Sequence, residues 1–176
     1  MMTLPLPRWS DRQYLVINAL AFQGTWLMCV LGGSVVAAMV TVMMLIVHLH
    51  QVHDVKRESI FILQATVIGF LCDLALVSGG VIVTGGIFPP LWLTCLWTLF
   101  ATTVGYPMRF FFGRLWLSMI TGAVFAPMSY FAGAHLAGVG LMSPDWMALL
   151  IISLIWALVF PLLIHLYTFN RLRPRT

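Results

Sequence analysis

The length of its apolar runs limits this chain most. A helix needs about 20 mostly apolar residues to cross the roughly 30 Å hydrocarbon core of a bilayer, and the stretch from Tyr14 to Leu49 is too long for one crossing. Its only break is Gly32-Gly33-Ser34. Glycine is the usual chain-reversing residue, so a tight helical hairpin is expected there, with spans at 14–31 and 35–49. Four further runs follow, at 60–78, 91–104, 116–133 and 146–169. A cleavable leader is the competing reading of the first run; its length and the lack of a small-x-small site right after it argue against that.

Composition agrees: 61% of the 176 residues are hydrophobic and 8% charged, with a mean hydropathy of +1.01. Six spans leave room only for loops, so residues 1–176 are expected to form a single membrane domain, an all-α polytopic bundle. The net charge of +4 does not point to nucleic acid, because the basic residues lie in small groups rather than one stripe.

Those groups set the expected topology. Arg8 and Arg12 precede the first run, Lys56 and Arg57 separate the second from the third, Arg109 and Arg114 separate the fourth from the fifth, and Arg171, Arg173 and Arg175 follow the sixth. The other connections carry none. Positive loops stay on the cytoplasmic side, so both termini are expected inside. The polar stretch His50 to Glu58 reads as a loop in water, and the uncharged, glycine-rich Gly79–Phe88 and the stretch Ala134–Asp145 as outer loops without Lys or Arg.

One acid breaks the apolar pattern. Asp73 lies in Ile60–Ser78, the only acidic residue within an apolar run, and no Lys or Arg falls in any span to pair with it. An ionisable group at depth is expensive and marks a functional-site hypothesis. Two readings stay open for Asp73: a structural acid held by a proton or by hydrogen bonds, and a proton or ligand site.

Other polar residues accompany it. Asn18 and Gln23 are amides at membrane depth that need partners, Asn18 on a face with Thr25 and Gln23 with Trp26. Thr66, Gly69, Asp73 and Val77 share a face of the third run, and Thr94, Thr98 and Thr102 recur every four residues on the fourth. Those hydroxyls can bond their own backbone or a neighbouring helix, or line a solute path. On the fifth run Ser118, Gly122, Phe125, Ser129 and Gly133 form an expected small-residue packing seam. Trp26, Trp92, Trp97 and Trp156 either line an apolar pocket or anchor at the interface.

Catalytic signatures are missing from the sequence. No hydrolase, zincin, phosphate-loop or dinucleotide fingerprint occurs, and no cofactor or metal is implied: His48, His50 and His53 lack ligand spacing, and Cys29, Cys72 and Cys95 form no CxxC.

The stretches Pro90-Leu91-Trp92-Leu93, Leu96-Trp97-Thr98-Leu99-Phe100-Ala101-Thr102 and Gly122 to Gly133 (through Ser129-Tyr130) resemble a family of small six-span bacterial inner-membrane proteins catalogued as a domain of unknown function. Asn18, Gln23 and Trp26, and the Leu-Cys-Asp ending at Asp73, add to the resemblance, which spans nearly the whole chain. Ala126 and Leu74 stand where the family pattern has Gly and Ser. The resemblance implies fold and membrane placement and no activity.

Three functional expectations follow. The leading one is a small-molecule or lipid binding or transport component, with Asp73, Gln23, Asn18, Trp26, Thr94, Trp97, Thr98 and Tyr130 as candidate site residues. The others are a membrane enzyme acting on lipid through Asp73, and a scaffold packing a second copy or a membrane partner protein through Gly69, Gly122, Ser129 and Gly133. The bilayer itself is a partner in each.

Overall fold

The computed structural model describes residues 11–172 and is all-helical. The long helices are α1 (Asp11–Gln51), α2 (Val55–Ser78), α4 (Leu115–Ala137) and α5 (Asp145–Leu172); α3 (Leu91–Val104) is shorter, followed by a 3-10 turn at Pro107–Phe111. Four described helices are long and apolar enough to cross a membrane, the first of them 39 residues from Gln13 to Gln51.

That first helix is folded back on itself. A straight helix would separate Tyr14 from His48 by about 50 Å, yet the Tyr14 hydroxyl lies 2.9 Å from His48 Nδ1. The reversal is at Gly33, whose φ of 69° and ψ of −170° fall in a region open essentially to glycine alone. The glycine pair therefore turns the chain as its sequence suggests.

α3 is the middle of the bundle. Its 14 residues rise only about 21 Å, but most are buried, because α1 packs along it on one side and α2 on another. Thr66 on α2 and Thr98 on α3 meet through their hydroxyls at 3.0 Å, so the two polar faces read from the sequence do touch. The second large interface joins α4 to α5. Pro127 has no N–H to offer the carbonyl of Ala123, one turn before it; Ser153 on α5 donates to that carbonyl instead, at 2.8 Å. Gly122 brings α4 so close to α5 that a Cβ there would sit 2.4 Å from the Trp156 carbonyl oxygen.

The five-residue seam on α4 is not one contact face. Ser118 and Gly122 are buried, the latter against α5, while Gly133 faces Trp26 and Val30 of α1. Phe125 and Ser129 are exposed. Three- and four-residue steps drift around a helix surrounded by several neighbours, so one stripe is divided among them.

The two ends of the bundle differ. At one end the loops around 82 and 140, both expected to be irregular, pair as a two-residue antiparallel ladder, β1 (Ile82–Val83) with β2 (Gly140–Leu141). The other end carries the described cations. There the expected water-filled loop from His50 to Glu58 is corrected: α1 runs to Gln51 and α2 starts at Val55, with Asp54 capping the Arg57 amide at 3.2 Å. Glu58 is fully buried. His48 Nε2 lies 3.0 Å from one carboxylate oxygen, Arg171 pairs with the other, and Tyr167 reaches it at 3.5 Å. Arg57 also donates to the Arg171 carbonyl at 2.9 Å. Polar sequence alone reads as solvated; here the acid is buried because its partners come from helices distant in the chain.

Candidate functional site

Asp73 is built into α2 one turn after Gly69, on the face that meets α3. Both its carboxylate oxygens are used: Trp97 Nε1 on α3 donates to Oδ2 at 2.7 Å, and the Tyr130 hydroxyl on α4 donates to Oδ1 at 2.6 Å. Gly69 is what lets the indole lie there, since a Cβ at that position would fall 1.9 Å from the Trp97 ring. On α5, Trp156 stacks on Trp97 with ring centroids 4.6 Å apart and planes 13° apart. Four helices thus converge on one acid through two aromatic donors.

Trp97, Tyr130 and Trp156 form part of the wall of a cavity of about 470 Å3 between α1, α3, α4 and α5. Its volume is in the range of small-molecule sites, which are mostly apolar with a few placed polar groups. Trp26, Trp92, Trp97 and Trp156 all line it, together with Phe22, Phe100 and Tyr130. All four tryptophans that the sequence singles out thus border one cavity. The ladder residues Ile82 and Leu141 close one end, and Met108 and Phe111 line the other. Between α1 and α4 the lining residues Gln23, Phe125, Met128 and Ser129 are exposed, and these helices touch far less than α4 and α5 do. That side is the mouth of the cavity.

The candidate residues divide. Trp97 and Tyr130 join Asp73 to the cavity, Gln23, Trp26 and Ser129 border it, and Gly122 and Gly133 lie in its wall. Asp73 itself is fully buried behind its two donors. Asn18 is not in the lining; its amide donates to the Thr102 carbonyl at 3.4 Å, locking α1 to α3. Thr94 and Thr98 are not in the lining either. Thr98 bonds Thr66 and the Thr94 carbonyl, and Thr102 bonds the Leu99 carbonyl at 2.7 Å, so the threonine stripe is used for helix contact and backbone bonding.

The Glu58 cluster is the polar feature that sequence reasoning did not assemble. Glu58 sits ten residues from His48 and over a hundred from Tyr167 and Arg171, so no local spacing joins them. Among the described residues, no group of three or more His, Cys, Asp or Glu could hold a metal ion.

Residues 15–162 match the model of a family described as "Protein of unknown function (DUF2878)". No curated protein and no solved structure matches the chain.

Proposed function

The chain belongs to this family of unknown function, and we propose that it is a six-span bacterial inner-membrane protein that binds a lipid or lipid-like small molecule taken laterally from the bilayer, as a binding or transport component. The carrying observation is the aromatic cavity whose mouth lies between α1 and α4 and whose wall reaches Asp73 through Trp97 and Tyr130. A lateral mouth suits a ligand that partitions into the membrane, because it need not cross water to enter. The six-span count takes α1 as two crossings and α3 as a short one sheltered by its neighbours.

Both termini are placed in the cytoplasm. The nine-to-zero asymmetry of Lys and Arg supports this, as does the gathering of residues near 14, 48, 57, 106 and 171 at one end of the bundle. A reporter fused after Arg175 is expected to be cytoplasmic and one inserted at Met142 periplasmic; both on one side would remove the six-span arrangement.

The ligand reading is tested by native mass spectrometry of protein released from detergent, comparing wild type with Ser129→Trp, which places an indole at the mouth. A bound small molecule or lipid is expected on the wild type and depleted on the variant. Equal occupancy of both would place the molecule elsewhere on the surface and overturn the reading.

A further inference from the structure

The two buried acids differ in their partners. Asp73 is fully buried and forms no ion pair among the described residues, whereas the other fully buried acid, Glu58, has Arg171 and His48. Buried charges are ordinarily paired, because an isolated one loses its hydration without compensation. Trp97 can only donate, and the Tyr130 hydroxyl meets the other carboxyl oxygen at 2.6 Å. Both donors are neutral, so in its ionised form Asp73 has no positive partner among the described residues.

Among the described residues, no Lys, Arg or His side chain lines the cavity on the other side of those donors. Aromatic side chains form much of the lining, and aromatic rings carry negative potential on their faces and attract cations, most strongly where water is excluded. Donating hydrogen bonds to the Asp73 carboxyl group makes the indole of Trp97 and the phenol of Tyr130 richer in electrons still. The indole N–H of Trp156 lies beside the Tyr130 hydroxyl without a well-formed hydrogen bond of its own. An anionic headgroup would meet no positive side chain among the described lining residues.

We infer that the occupant of this cavity is a lipophilic cation, a molecule whose positive centre rests among the aromatic rings in front of Asp73 while its apolar part fills the rest. The inference deepens the lateral-binding reading and depends on it. Charge complementarity selects the cation: the site supplies a buried acid with no positive partner among the described residues and the negative faces of aromatic rings, and the ligand supplies the positive charge. A quaternary ammonium or phosphonium fits this chemistry, since it needs no hydrogen-bond acceptor from the wall.

The test measures binding to wild-type protein in nanodiscs of zwitterionic lipid, against empty discs, by equilibrium dialysis and tryptophan quenching. Three probes of similar size are compared: tetraphenylphosphonium, neutral triphenylphosphine oxide and anionic tetraphenylborate. The phosphonium is expected to bind about tenfold or more tightly than the oxide, with no saturable binding of the borate. Asp73→Asn is expected to bring the phosphonium and oxide affinities within about threefold of each other. If the oxide binds as tightly as the phosphonium, the cation inference fails and the cavity remains a ligand site. If neither binds saturably, the lateral-binding reading fails with it. Should Asp73→Asn not fold, the wild-type ranking of the three probes decides alone.

Discussion

Replacing Arg171 by alanine is expected to lower stability by about 3–5 kcal/mol, the cost of breaking a buried ion pair from one side. Glu58 is fully buried, so once the guanidinium is gone its carboxylate keeps only His48 and Tyr167. Glu58→Gln should cost less, because the Arg171 side chain is 10% exposed and can turn towards water. The double change Arg171→Met with Glu58→Leu is expected to recover much of the loss, since it leaves no unpaired charge behind. Thermal midpoints in one detergent of Arg171→Met, Glu58→Leu and the double variant, arranged as a double-mutant cycle, measure this. Additive effects of the two single changes would mean that the pair does not act as a unit. The cluster ties both ends of the α1 hairpin to the start of α2 and the end of α5 through Tyr14, His48, Glu58 and Arg171, so its loss should loosen the charged end of the bundle first.

Gly69→Ala is the second large effect. The added methyl would lie 1.9 Å from the Trp97 ring, and a rigid indole stacked on Trp156 and bonded to Asp73 cannot move without giving up one of those contacts. Overpacking of this kind costs about 1–3 kcal/mol, and freeing a buried donor and acceptor adds about 1–3 kcal/mol. The variant should melt well below wild type and lose the ligand that wild type retains. Gly24→Ala is the control, because its methyl would meet nothing within 4 Å and the position does not line the cavity, and it should behave as wild type. A Gly69→Ala protein with unchanged melting and ligand occupancy would show that Trp97 is not held as described.

The sequence by itself determined the class and most of the local plan. Apolar runs of this length have no stable place but a bilayer, where backbone groups must bond within helices; the glycine pair at Gly32 and Gly33 marked the reversal, because only glycine takes the dihedrals required. Asp73 stood out because an acid in an apolar run has no local compensation, and its spacing from Gly69 already placed both on one face. Tertiary structure decided which partners each group meets. Trp156 joined the site only because α5 packs on α4 where Gly122 permits close approach, and Thr94 and Thr98 turned away from the cavity because α2 offered Thr66 a turn from Gly69. Glu58 looked like a solvated loop residue because its neighbours in sequence are polar. Its burial depends on His48, Tyr167 and Arg171 arriving from two other helices, and contacts between residues so far apart in the chain leave no periodicity to read.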